Sequence, residues 1–154
     1  MTEAKMCQEL DRLSSLKAYG MLDSIRILRE GYEKHHRIIC AVIHTTPDLV
    51  NQLYINLDEK NPTREGNRYM LCYTTWAEAN SDATLQEPCE ILPLNFVIDN
   101  ALSKPVIGGL VFNKHHPDKI MNIPKQFLGD SATMFKAYKR VLEGNPNLFM
   151  FNEK

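Results

Sequence analysis

Two pairs of adjacent histidines are the first residues in this chain whose type could support chemistry. They are His35-His36 and His115-His116, and imidazole is a common ligand of transition metals. Adjacent histidines rarely bind one ion together, and no H-x-x-x-H or H-E-x-x-H pattern accompanies either pair. We therefore predict no metal site and no cofactor, with both pairs in ordinary polar positions at a helix end and in a turn.

The four cysteines offer no recognisable nucleophile. Cys7, Cys40, Cys72 and Cys89 lie far apart without C-x-x-C spacing, and Cys40 and Cys72 fall inside apolar runs. A reactive thiol needs a partly exposed, electropositive site near an imidazole. The pattern instead predicts four free, reduced thiols, two of them in the core, in a cytoplasmic protein.

Two further patterns could suggest catalysis, and both have simpler interpretations. The pair Gly108-Gly109 could cradle a phosphate, but it lies within a predicted strand and not between a strand and a helix. Glu78 and Asp99 could act as paired carboxylates, but Glu78 is explained as a capping partner and Asp99 as an exposed helix residue. We therefore assign no catalytic residue.

The predicted centre of the fold is the apolar run from Val106 to Phe112, a buried strand that turns back into a second strand from Ile120 to Ile123. Glycines inside a strand mark a bulge or a close approach of another backbone or a ligand. Further strands are expected at Ile38 to Ile43, Leu53 to Leu57, Arg68 to Tyr73 and, in an edge position because of Pro88, Leu85 to Leu92. The polar stretch from Asp58 to Asn67 is expected to be a long hairpin loop.

Helical spacing of apolar residues predicts the helices. The N-terminal pair comprises Met6 to Tyr19, ended by Gly20, and a second helix capped by Asp23 or Ser24. Thr46-Pro47-Asp48 predicts a short helix through Gln52, and Thr75 to Glu78 fits a capping box that starts another at Trp76. Two longer helices are expected at Leu94 to Leu102 and Ser131 to Glu143.

These elements predict a single α+β domain with a mixed sheet of about five strands flanked by helices. Residues 1–36 would form N-terminal helices packed on the unit formed by residues 37–154. The 154 residues carry a net charge of -1, which gives no reason to expect a nucleic-acid partner. The absence of a long apolar run argues against a membrane partner.

Two features favour a binding protein over an enzyme. The N-terminal helix and the tail from Leu148 to Phe151 offer more apolar surface than a minimal domain needs. No nucleophile, acid/base pair or metal set occurs at usable spacing.

We expect a protein partner or self-association, through a surface made of the following residues: Tyr73, Trp76, Asn113, His115, Leu148, Phe149 and Phe151. Trp76 itself is more typical of a core anchor. An enzyme with a scattered active site and a small immunity-type binding protein are the alternatives.

Two segments resemble the N-terminal domain of the SseB (enhanced serine sensitivity) family. The first is the strand-to-helix turn Tyr73-Thr74-Thr75-Trp76-Ala77-Glu78-Ala79. The second runs from Gly109-Leu110-Val111-Phe112-Asn113 through Ile120 to Leu128. The chain departs from the family pattern after Asn113, where Lys114 replaces the usual proline. The resemblance implies an intracellular bacterial α+β domain that serves as a binding or regulatory module, and it transfers no functional residues.

Overall fold

A computed structural model describes residues 1–46 and 49–128 of the chain. Its helices and strands, in chain order, are α1 (Glu3–Ser14), α2 (Met21–Glu33), β1 (Arg37–Thr46), β2 (Leu49–Gln52), β3 (Tyr54–Asn56), β4 (Arg68–Tyr73), α3 (Trp76–Asn80), β5 (Cys89–Pro93), α4 (Leu94–Ser103), β6 (Ile107–Phe112) and β7 (Met121–Pro124). Short 3-10 turns occupy Lys17–Gly20 and Lys125–Phe127. The predicted helix Ser131 to Glu143 and the tail Leu148 to Phe151 lie outside the described residues.

The strands form one mixed sheet, which confirms the predicted α+β class. Strand β4 pairs with β6 in parallel, and the other pairs are antiparallel. Within the described residues β5 pairs only with β1 and β7 only with β6, so β5 has the predicted edge position. Within the described residues the sheet has seven strands. Six of them correspond to the predicted strand segments, and the seventh, β2, replaces a predicted helix.

The middle of the sheet is forked. Strands β1 and β4 pair only at Ile39–Tyr73 and Cys40–Cys72. Beyond that point they diverge, and β2 pairs with β1 while β3 pairs with β4. Leu53 lies where the fork opens, because its N–H donates to Ala41 O at 2.9 Å and its carbonyl accepts from Leu71 N–H at 3.0 Å.

The main core lies on the face of the sheet that α1, α2 and α4 cover. Alternate strand residues point to this face, as the period of two in a strand requires. The core combines helix and strand side chains, among them Met6, Leu10, Ile25, Leu28, Cys40, Cys72, Val97, Ile98, Leu110 and Phe112. The N-terminal helices thus share one core with the sheet. None of the helices in residues 1–46 and 49–128 has the length and apolarity needed to span a bilayer.

Gly108 and Gly109 confirm the predicted bulge and close approach in β6. The register between β4 and β6 shifts there, since Arg68 pairs with Ile107 and Tyr69 with Gly109, which leaves Gly108 as the extra residue. A Cβ at Gly109 would collide with the carbonyl oxygen of Ile123. The neighbour that comes close is therefore backbone of the same sheet, and not a ligand.

The predicted helix from Thr46 to Gln52 is wrong. Leu49–Gln52 forms strand β2, antiparallel to β1, whereas Pro47 and Asp48 lie outside the described residues. The N-cap, proline and acidic residue favour a helix only locally. Pairing with the long β1 satisfies the backbone hydrogen bonds of this segment and overrides that preference.

The boundaries of the N-terminal helices also differ from the prediction. Helix α1 ends at Ser14, and Gly20 ends a 3-10 turn at φ -93° instead of terminating α1. A Cβ at Gly20 would meet the backbone of Leu13, so close packing explains this glycine. Helix α2 begins at Met21, before the predicted caps Asp23 and Ser24.

On helix α2, Lys34 Nζ lies 2.7 Å from Glu30 Oε1. Arg26 Nη1 lies 2.9 Å from Asp23 Oδ1. Both arrangements join neighbouring turns of one helix face, and exposed pairs of this kind stabilise a helix only weakly.

Candidate functional site

A network of polar side chains lies where the parallel strands β4 and β6 end. Tyr73 is the last residue of β4, and Asn113 directly follows β6. The carboxyl ends of parallel strands are a common place for functional residues in α/β sheets. We call this network the polar cluster, and its members are Asp11, Tyr73, Thr74, Glu78, Asp82, Asn113, His115 and Lys119.

Asn113 joins the two strand ends. Its backbone has a left-handed φ of 55°, a conformation that asparagine tolerates better than most residues. Its side-chain oxygen accepts from Thr74 N–H at 3.2 Å, and its amide donates to Thr74 Oγ1 at 3.0 Å. The Thr74 hydroxyl in turn donates to Asp11 Oδ1 at 2.6 Å. Because Asn113 is fully buried, it fixes the turn between β6 and β7 from beneath the surface.

Lys119 connects helix α1 to helix α3. Its amine lies 3.0 Å from Asp11 Oδ2 and 3.4 Å from Glu78 Oε1. The hydrogen bond to Asp11 raises the pKa of Lys119 above its ordinary value, against the opposing effect of burial. The lysine is therefore charged at neutral pH and holds two carboxylates that belong to different helices.

His115 lies between two carboxylates and is nine-tenths buried. Its Nε2 is 2.9 Å from Ser81 Oγ and 3.2 Å from Glu78 Oε2, and its Nδ1 is 3.9 Å from Asp82 Oδ2. The Ser81 hydroxyl donates its only hydrogen to Glu78 O. Hence Ser81 Oγ accepts from His115, which places a hydrogen on Nε2. The other nitrogen, Nδ1, is buried without a hydrogen-bond partner.

Tyr73 and Asp82 form a buried, hydrogen-bonded pair within the cluster. The tyrosine hydroxyl donates to Asp82 Oδ2 at 2.6 Å, and Thr84 donates to Oδ1 from both its N–H and its hydroxyl. Burial alone would raise the pKa of Asp82, but these hydrogen bonds outweigh it and lower that pKa. Burial and the aspartate raise the pKa of Tyr73 far above its ordinary value. The pair is thus an ionised carboxylate and a neutral phenol.

Trp76 begins helix α3 beside the cluster, and 49% of its surface is exposed. Its helix start is fixed by Thr75, whose hydroxyl accepts from Glu78 N–H at 3.1 Å. This half of the predicted capping box is confirmed. The predicted return bond from Glu78 is replaced by the contacts to His115 and Lys119. The expectation that Trp76 anchors a core is wrong, since half of the indole faces solvent.

The structure brings together three of the predicted surface residues but buries two of them. Tyr73, Asn113 and His115 belong to one cluster, and the Tyr73 and His115 rings are 5.8 Å apart. Tyr73 and Asn113 are 1% and 0% exposed, so they support the surface from below and cannot contact a partner directly. Leu148, Phe149 and Phe151 lie outside the described residues.

Sequence reasoning missed most of the charged members of the cluster. Asp11, Asp82 and Lys119 had no predicted role in a site, because no local pattern in the sequence indicates their partners. Glu78 and Asp99, weighed as paired carboxylates, have separate partners, because Asp99 accepts from the Tyr32 hydroxyl at 2.6 Å. The capping box was the only local signal for Glu78, and it indicated a different partner.

A cleft of about 360 Å³ adjoins the cluster, with His115, Asp82 and Lys114 among its lining residues. Within residues 1–46 and 49–128, no group of three or more His, Cys, Asp or Glu side chains is arranged to hold a metal ion. Comparisons with protein families, with curated proteins and with solved structures give no match to this chain.

Proposed function

We propose that the protein is a non-catalytic, cytoplasmic protein-interaction or regulatory module that binds a protein partner, or a second copy of itself, through the surface around Trp76 and His115. The observation that carries this proposal is a half-exposed tryptophan at the start of a helix that a partly buried charged network supports. We call this surface the Trp76 surface.

Exposure alone does not single out Trp76. Tyr19 is 94% exposed and Phe96 is 47% exposed, and scattered exposed apolar residues are normal on a soluble protein. The distinguishing feature is the support beneath the tryptophan. Thr75 caps its helix. Glu78, two residues further on, lies 3.4 Å from the Lys119 amine and 3.2 Å from His115 Nε2.

Such support favours binding. Tryptophan is enriched among the residues that contribute most to protein–protein affinity. A side chain presented by an already ordered backbone loses less conformational entropy on binding than one on a loose loop. The cluster thus gives the α3 start a fixed position before any partner arrives.

Both segments that resemble the SseB family contribute residues to the polar cluster. The first contributes Tyr73, Thr74 and Glu78, and the second contributes Asn113. The family implication of a binding or regulatory module agrees with this proposal.

Affinity capture from native cell extract tests the proposal with three full-length proteins: the natural chain, Trp76→Ala and Phe96→Ala. Phe96 is a matched control, since it is an equally exposed aromatic residue on a different helix. We expect the natural chain and Phe96→Ala to retain the same partner and Trp76→Ala to lose it. Sedimentation velocity on the same three proteins tests the case in which the partner is a second copy.

Because Trp76 is the only tryptophan, its fluorescence reports directly on this surface. A captured partner titrated into the natural chain should shift the emission of Trp76, since binding removes the indole from water. A fourth protein, truncated after Gly144, tests the predicted contribution of Leu148, Phe149 and Phe151. Equal capture by the natural chain and Trp76→Ala, with no change in emission, would contradict the proposal.

One observation favours an enzyme as the second candidate. His115 has carboxylates on both sides and lines the 360 Å³ cleft, an arrangement from which an imidazole can act as a general acid or base. An activity screen would favour this candidate if it found turnover that His115→Gln abolishes while folding is unchanged. A screen in which turnover is insensitive to His115→Gln would leave the cluster with a supporting role.

A further inference from the structure

A second cleft, of about 500 Å³, lies between the end of helix α4 and the fork of the sheet. Its lining residues are Ile43, Gln52, Leu53, Tyr54, Arg68, Met70, Asn100, Lys104, Val106 and Ile107. This volume lies within the range of small-molecule sites, about 300–1,000 Å³. Five of these ten side chains are aliphatic or thioether groups, so the cleft offers a substantial apolar wall.

Among residues 1–46 and 49–128, the charged side chains that line this cleft are all positive. They are Arg68 and Lys104, and the described lining includes neither an aspartate nor a glutamate. In the part of the chain that the structure describes, no carboxylate lies within ion-pair distance of either cation. Two cations beside an apolar wall attract an anion that carries an apolar group.

Arg68 is held in position by neutral partners. Its Nη1 donates to the Tyr54 hydroxyl at 2.7 Å, and its guanidinium carbon lies 4.4 Å from the centre of the Tyr54 ring. Its Nε is buried without a hydrogen-bond partner. The guanidinium is thus ordered and partly removed from water, and none of the carboxylates in the described residues neutralises its charge. An ordered arginine is well suited to bind a carboxylate, because its planar fork matches the two oxygens.

The opposite wall is fixed by a hydrogen bond between two amides. Asn100 Nδ2 donates to Gln52 Oε1 at 3.1 Å, which ties helix α4 to strand β2. Gln52 is buried, with 5% of its surface exposed. This bond keeps the cleft from closing by movement of the helix, and it adds no charge that would compete with an anion.

The cleft beside the polar cluster has the opposite character. Asp82 and Glu87 line it together with Lys114 and His115, so its charges are mixed and select no ligand class. Preference for an anion is therefore a property of the 500 Å³ cleft.

We propose that this cleft binds a small monocarboxylate with an apolar body, such as a medium-chain fatty acid. Its carboxylate would lie between Arg68 and Lys104, and its chain would cover Met70, Val106 and Leu53. A free inorganic anion would use the cations but leave the apolar wall exposed to water. A neutral chain of the same length would use the wall but leave the cations unpaired. The proposed ligand uses both.

Isothermal titration calorimetry with octanoate, octan-1-ol and acetate tests this proposal on the full chain. The alcohol keeps the chain without the charge, and acetate keeps the charge without the chain. We expect octanoate to bind at least about tenfold more tightly than either. Octan-1-ol lacks the charge-assisted hydrogen bond and acetate lacks the buried methylene groups, and each of these contributes at least about that factor. Equal affinity for octanoate and octan-1-ol, or for octanoate and acetate, would overturn the proposal.

Substitutions of the two cations test whether octanoate binds in this cleft. Arg68→Gln should weaken octanoate binding about tenfold, and the exposed Lys104→Gln by a smaller factor of about two to five. Lys60→Gln, in the loop between β3 and β4, removes the same charge away from the cleft and should leave the affinity unchanged. Arg68 lies in a strand, so Arg68→Gln could also disturb folding. Lys104→Glu changes an exposed residue and therefore tests the site independently. Octanoate affinity that Lys104→Glu leaves unaltered would contradict the assigned site.

Discussion

The sulfur atoms of Cys40 and Cys72 lie 3.9 Å apart, on directly opposed residues of β1 and β4. Both side chains are buried in the main core, and both cysteines are free thiols. Burial raises the pKa of the Cys72 thiol well above its ordinary value, and the neighbouring Cys40 thiol adds to this effect. The pair therefore packs as two small apolar groups at the point where the sheet forks.

Thiol labelling at neutral pH should follow this burial. In native protein we expect a thiol reagent to modify Cys7 and Cys89 first, because both are partly exposed, and to leave Cys40 and Cys72 unmodified. After denaturation without reductant all four should react. Mass spectrometry of the labelled peptides measures both steps. Modification of Cys72 in native protein as fast as Cys89 would show that the core opens at the fork.

Gly109→Ala should destabilise the protein by about 3 kcal/mol, because the added Cβ would collide with backbone that cannot move without breaking the pairing of β6 with β7. Gly66→Ala is the matched control. Gly66 has a left-handed φ of 73° but open space around it. The substitution Gly66→Ala should therefore cost only about 1 kcal/mol of backbone strain. Urea unfolding of both variants measures the difference, and similar losses would contradict the close approach at Gly109.

Asp82→Asn should lower the free energy of unfolding at pH 7 by about 2 kcal/mol, since it weakens hydrogen bonds to a charged group. The pKa of Asp82 is lower in the folded protein than its ordinary value of 3.8. Its contribution is therefore present above that value and is lost as the pH falls through the lower folded pKa.

Unfolding curves of the natural chain and Asp82→Asn should accordingly converge as the pH is lowered from 5 toward 3, near the ordinary value of 3.8 and below it. Thr84→Val provides a second measurement, because it removes one hydrogen-bond donor to the Asp82 carboxylate. It should reduce the pH-dependent contribution of Asp82 to the free energy of unfolding. A stability difference that stays constant over this range would mean that the charge on Asp82 contributes nothing.

Thr75→Ala should destabilise the protein by about 1 kcal/mol, the usual cost of losing an N-cap. Thr75→Ser keeps the hydroxyl and should cost less than half of that. If the support beneath Trp76 matters for binding, Thr75→Ala should also weaken partner capture while Trp76 itself is unchanged. If Thr75→Ala captures the partner as well as the natural chain does, binding through Trp76 does not depend on the helix cap.

Local patterns predicted the elements whose signals are contained in one stretch. Helix α4 and strand β6 lie within a residue or two of their predicted bounds, because apolar periodicity and flanking prolines mark both. Strand β2 was missed for a physical reason. Its hydrogen bonds depend on β1, and a proline with a flanking acid gives a helix signal that carries no information about that partner.

The polar cluster could not be assembled from the sequence. Lys119 and Asp11 are separated by 108 residues, and neither has a neighbour along the chain that indicates the pairing. Glu78 had a local signal, the capping box. That signal predicted the hydrogen bond of its backbone N–H but not the contacts of its carboxylate. The exposure of Trp76 depends on which side of α3 faces the sheet, which five residues of helix cannot reveal.

The fork at Leu53 also constrains how the chain can reach this structure. The β1–β2 hairpin needs only local contacts, but Leu53 completes its two backbone bonds only when β4 has arrived, and β4 in turn pairs with β6 across a long crossover. Non-local pairings of this kind slow folding, since the entropy of closing the intervening loops is lost before the contacts form. The closing of the fork is therefore expected to belong to the rate-limiting step, so that substitutions at Leu53 would slow refolding more than they accelerate unfolding.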